Sequence, residues 1–160
     1  MTGLAGGVVW TVFLLLLAWR TAAEEKRVTE ELSGLCFLLD ALRAELAGAS
    51  RPLPVLFSEF SHPSLASCGF LAILQREGLT AALRAKALHP RTCSEAHPVL
   101  LPFADALGRR LHEEERRAVE DALARLTPIA KRVAEEAPRR VRIKGVLTVS
   151  GGLLFLLLLI

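Results

Sequence analysis

Three side chains able to ligate a metal stand four residues apart in this chain: His89, Cys93 and His97. On an unbroken helix they would line one face. Prolines follow both histidines directly, at Pro90 and Pro98, and a residue before proline avoids the helical region. The segment therefore reads as a turn between helices, and no metal is expected there. His62-Pro63 repeats the dipeptide with no partner nearby. His112-Glu113-Glu114-Glu115 shares two residues with the His-Glu-x-x-His zinc motif but lacks its second histidine. Acidic residues there suit a helix N-terminus, where the dipole favours them. There is no glycine-rich phosphate loop and no G-x-S-x-G. Cys36, Cys68 and Cys93 are odd in number, widely spaced and without a C-x-x-C. They read as buried reduced thiols, not a disulfide framework. Catalytic residues, cofactors and metals are not expected.

The charges that do cluster flank apolar runs. Met1 to Trp19 is uncharged, and Arg20, Lys26 and Arg27 follow it. Gly145 to Ile160 is uncharged, and Arg139, Arg140, Arg142 and Lys144 precede it. As helices these runs would rise about 28 and about 24 Å, against a hydrocarbon core of roughly 30 Å. The second run needs local thinning or help from Val141 and Ile143. An export signal carries its charges before the apolar run, so the first run reads as an anchor. Both basic collars lie inside the loop between the two spans. The positive-inside rule then places the intervening domain in the cytoplasm and both termini outside. The collars suit anionic headgroups, at about 1 kcal/mol per charge. Gly151-Gly152 could form a close-packing face for another membrane helix. Twenty basic residues against 17 acidic give a net charge of +3, a near-balance that does not describe a nucleic-acid-binding surface.

Between the anchors the periodicity is helical throughout. Val28, Leu32, Leu35, Leu39, Leu42 and Leu46 recur at intervals of four and three, a heptad seam that Phe37 and Leu38 widen. This helix continues from the first span to Ala47, with Gly48 as its natural stop and Pro52 and Pro54 barring continuation. Short helices are expected over Leu53–Phe60, from Pro63 to Gly78 with Ser61 as cap, from Thr80 to Pro90, and between Pro98 and Gly108 with a start near Pro102. A last long helix, Glu113 to Ala137, carries a seam of Val119, Ala122, Leu126, Ile129 or Ala130, Val133 and Ala137, with Pro128 set to kink or divide it. Pro138 marks its junction with the collar. No cluster of inward ionisable residues is expected on either seam. The fold class is all-α: a multi-helix bundle, 20–144, between an N-terminal transmembrane helix, 1–19, and a C-terminal one, 145–160.

Leu42-Arg43-Ala44-Glu45-Leu46-Ala47-Gly48, followed by Pro52-Leu53, resembles the L-x-x-E-I-x-[YF]-G…P-L stretch of the stage III sporulation protein AB family. Leu100 to Gly108 is similar to that family's L-x-x-[FL]-G-x-x-L-G, with Leu107-Gly108 as the closing pair, and Gly152 to Ile160 to its closing apolar run. Ala104 stands where glycine is usual, Leu83 where tryptophan is usual, and Leu111 and Glu115 near where Asp and Gln are usual. The resemblance covers the whole architecture and marks a divergent member. It implies structural roles for Glu45, Gly48, Pro52, Leu53, Leu107 and Gly108. It also implies a cytoplasmic helical domain like the F-type platform domain of type II secretion and type IV pilus machines.

The expectation that follows is a non-enzymatic platform in the mother-cell membrane, within a secretion-like complex between mother cell and forespore. Its partners would be the membrane, a cytosolic secretion-type ATPase and other subunits of the complex, with a homo-oligomer left open and no nucleic acid. A secretion or pilus platform outside sporulation is the alternative. A membrane enzyme with an unrecognised site is a third reading, to be favoured by inward ionisable residues.

Overall fold

The computed structural model describes the backbone of residues 2–48, 52–108 and 112–159. It describes their side chains except at 2–9, 11, 112 and 152–159. All regular structure among the described residues is helical: α1 (Thr2–Ala47), α2 (Leu53–Glu59), α3 (Pro63–Ser67), α4 (Phe70–Glu77), α5 (Leu79–Arg84), α6 (Pro90–Ala106) and α7 (His112–Leu159). The chain divides into two compact units. One is Arg27–Arg132; the other joins Met1–Lys26 to Val133–Ile160.

In the unit Arg27–Arg132 the α1 seam is the spine of the core. Val28, Leu32, Leu35, Leu39 and Leu42 are all 1 % exposed or less. Leu38 is buried beside them, whereas Phe37 stands 55 % exposed. The short helices cannot bury an apolar face alone, so they pack on one another: α2 and α3 on α4, α4 on α5, and α5 on α6. Phe57, Leu65, Phe70, Leu74, Leu83, Leu100 and Phe103 supply their share of the core, and α7 adds Val119, Ala122 and Leu126. Gly34 lets α3 come close. A Cβ there would lie 2.8 Å from His62 Nδ1 and 2.9 Å from Leu65 Cγ, well inside van der Waals contact.

Several boundaries differ from the expected ones. The stretch from Pro63 to Gly78 is two helices, because Gly69 adopts φ +80° and turns the chain between them. The residue that enters α3 is His62, not Ser61. Helix α5 ends at Arg84, and Pro90, expected to end a helix, instead begins α6. Pro is favoured at that first position, where its missing N–H costs nothing. From Pro90 onward the segment is therefore helix and not a turn, with His89 as its extended N-cap, and α6 continues through Pro98 and Pro102. Helix α7 likewise runs unbroken through Pro128 and Pro138. Each proline removes one backbone hydrogen bond; in helices this long, packed along a seam, that loss does not end the element.

Candidate functional site

Among the described residues no group of three or more His, Cys, Asp or Glu is placed to hold a metal. His89, Cys93 and His97 are separated in role. His89 caps α6, its Nδ1 accepting the Arg91 N–H at 3.3 Å. Cys93 Sγ donates to Leu88 O at 3.8 Å. His97 lies one turn further along the helix.

The dominant polar constellation is one the seams were not expected to carry. Glu31 is fully buried. Its Oε1 accepts from Arg27 Nε at 2.8 Å, and its Oε2 accepts from the His89 N–H at 2.8 Å and the Thr92 hydroxyl at 2.7 Å. A buried carboxylate is tolerable only when donors replace its water. Here they come from its own helix and from the first turn of α6, whose dipole favours negative charge. The hydrogen bond to Glu31 raises the Arg27 guanidinium above its ordinary value, with partial burial opposing it. Arg27, expected to flank the membrane, is thus engaged in the helical body. The signal for Glu31 was its position: three residues after Val28 and four before Leu35, it lies on the apolar seam.

All three cysteines are free thiols. Burial pushes each above the ordinary value; the carboxylate of Asp40 adds to this at Cys36, and that of Glu31 at Cys68 and Cys93. Protonated thiols are poor nucleophiles and poor metal ligands.

The positions on which the resemblance rests sit at or near helix boundaries. Gly48 follows α1, Pro52 precedes α2, which opens on Leu53, and Glu45 is half-buried in the last turn of α1. Leu107 closes α6, and Gly108 follows it at φ +80°. Glu115 acquires a role: its carboxylate accepts the Gly108 N–H at 2.6 Å, joining the α6 exit to the first turn of α7. Ala104 and Leu83 are buried core residues; Leu111 lies outside the described residues.

In the unit Met1–Lys26 with Val133–Ile160, Arg20 pairs with Glu24 at 3.3 Å, and Arg140 with Glu136 at 2.6 Å. Lys144 pairs with Glu25 at 3.0 Å, and Glu25 is buried. Like Glu31, Glu25 continues the α1 seam, three residues before Val28. Lys26, Arg139 and Arg142 are exposed. The same unit exposes large apolar side chains: Leu15 at 65 %, Trp19 at 73 % and Leu147 at 67 %. A Cβ on Gly151 would meet nothing within 4 Å; Gly152 lies outside the residues described at side-chain level. Among the described residues no helix is long and apolar enough to cross a membrane. Residues 1–9, 11 and 152–160, which complete the two apolar runs, lie outside those described at side-chain level.

A comparison with protein-family models, curated proteins and solved structures finds no match to this chain.

Proposed function

We propose that this chain is a non-enzymatic, membrane-anchored platform protein whose helical domain faces the cytoplasm. Both ends insert in the bilayer, and the body between them transmits between a cytosolic ATPase and membrane-embedded partners. The observation that carries this is the unit built from both chain ends, where Phe13, Leu15, Leu16, Trp19, Val146 and Leu147 are exposed beside a basic collar. Apolar side chains that project together from paired helices suit a lipid solvent. A non-catalytic role is supported by Glu31, the most buried carboxylate: its two oxygens already accept from three donors, as a structural clamp would.

The setting we infer is the secretion-like complex between mother cell and forespore, supported by the Glu45-to-Leu53 and Leu100-to-Gly108 motif positions. Deleting the gene in a spore former is expected to arrest development after engulfment. Normal spore yield would end the sporulation assignment, and expression outside sporulation would favour a secretion or pilus platform. Membrane fractionation tests the anchoring: the protein should stay with membranes through an alkaline wash.

A further inference from the structure

The basic collar is not uniform, and its ion pairs decide which cations remain open to a ligand. In the unit Met1–Lys26 with Val133–Ile160, the six cations Arg20, Lys26, Arg139, Arg140, Arg142 and Lys144 face the four carboxylates Glu24, Glu25, Glu135 and Glu136. Glu24, Glu136 and Glu25 hold Arg20, Arg140 and Lys144. Arg139 and Arg142 are both exposed, and among the described residues neither has a carboxylate within ion-pair distance. Three residues apart on α7, they share one face. That face continues, at spacings of three and four, through Ile143, Val146 and Val149, which stand 49, 59 and 54 % exposed. Two open guanidinium groups therefore lead directly into an exposed apolar stripe on the same side of one helix.

We propose that Arg139 and Arg142 form a binding site for an anionic phospholipid. The two guanidinium groups clasp the headgroup phosphate, which their planar donors suit, and an acyl chain lies along Ile143, Val146 and Val149. The site rests on the membrane anchoring proposed above and adds to it a ligand and two residues. The paired cations contribute little, because each already has a carboxylate beside it.

The test is a titration of the detergent-solubilised full chain with phosphatidylglycerol, read by native mass spectrometry, with phosphatidylcholine as the uncharged reference. Phosphatidylglycerol should bind in preference, and the double substitution Arg139→Gln/Arg142→Gln should weaken it about thirty-fold, ~2 kcal/mol at about 1 kcal/mol per basic residue. Arg139→Lys/Arg142→Lys, which keeps the charge, should recover most of the loss. Arg20→Gln/Arg140→Gln removes as much charge and should cost less than about three-fold, under ~0.7 kcal/mol. Equal losses in the two glutamine pairs would overturn the site in favour of a diffuse collar, and so would wild-type binding by Arg139→Gln/Arg142→Gln. Both substituted positions are exposed, so an unchanged helical circular dichroism spectrum is expected. Failure of the anchoring itself reads differently: a chain that stays monodisperse in buffer without detergent overturns both proposals, whereas a detergent-dependent chain without lipid preference overturns this one alone.

Discussion

The carboxylate of Glu31 on α1 accepts the hydroxyl of Thr92 on α6 at 2.7 Å, across 61 residues of sequence. With Arg27 and the His89 N–H it completes a buried clamp that fixes the start of α6 against α1. Removing the carboxylate takes the acceptor from the His89 N–H and the buried Thr92 hydroxyl, while Arg27, 52 % exposed, can turn to water. Glu31→Ala is expected to destabilise the helical body by about 3 kcal/mol. Thr92→Val, which deletes one donor and keeps the shape, should cost about 1 kcal/mol. Urea unfolding followed by circular dichroism measures both; an unchanged midpoint for Glu31→Ala would show that the clamp does not hold the body together.

Glu25 and Lys144 form another pair distant in sequence, 3.0 Å apart, with Glu25 buried and Lys144 about half exposed. Lys144→Ala leaves the carboxylate without that partner, whereas Glu25→Gln leaves only an exposed ammonium. The lysine substitution should therefore cost more than the glutamate one. A double-mutant cycle should give a coupling of about 1 to 3 kcal/mol. Thermal unfolding of the four proteins in one detergent provides the numbers, and a coupling near zero would mark the contact as incidental.

Gly34 is a close-approach glycine. Its absent Cβ would meet His62 Nδ1 and Leu65 Cγ at under 3 Å, and His62 Nδ1 is already hydrogen-bonded to Ser64 Oγ at 2.8 Å. Gly34→Leu should overpack this contact and cost about 2 to 3 kcal/mol or more, although leucine is the better helix former. If unfolding shows Gly34→Leu to be stabilising, α1 and α3 do not approach as described.

Burial raises all three thiols above the ordinary value of 9.0. In the window between that value and the higher folded ones, the unfolded chain releases protons that the folded chain keeps. Stability is thus fully present below pH 9.0 and falls as pH rises through the folded values. Replacing Cys36, Cys68 and Cys93 together by alanine should flatten this alkaline loss. At neutral pH the native thiols should react with an alkylating reagent more slowly than those of the urea-unfolded chain.

Much of the helical architecture was legible in the order of residues. The spacing of Val28, Leu32, Leu35, Leu39 and Leu42 on α1 marked a buried face; on α7 Val119, Ala122, Leu126 and Val133 are buried, whereas Ile129, Ala130 and Ala137 of the same expected seam are only partly covered. Prolines were the weakest guide. Pro90, Pro98, Pro102 and Pro128 act locally by removing one donor and biasing the preceding residue, and local rules cannot register the packing that carries α6 and α7 through them.

What the sequence determined by itself was periodicity, and with it the all-helical class and the two charge-free ends, because the 3.6-residue repeat needs no knowledge of partners. What only the tertiary structure decided was how the charges are used. Glu25 and Glu31 occupy seam positions that would be faults in isolation. They are satisfied by donors 119, 58 and 61 residues distant, which only folding brings within 3 Å.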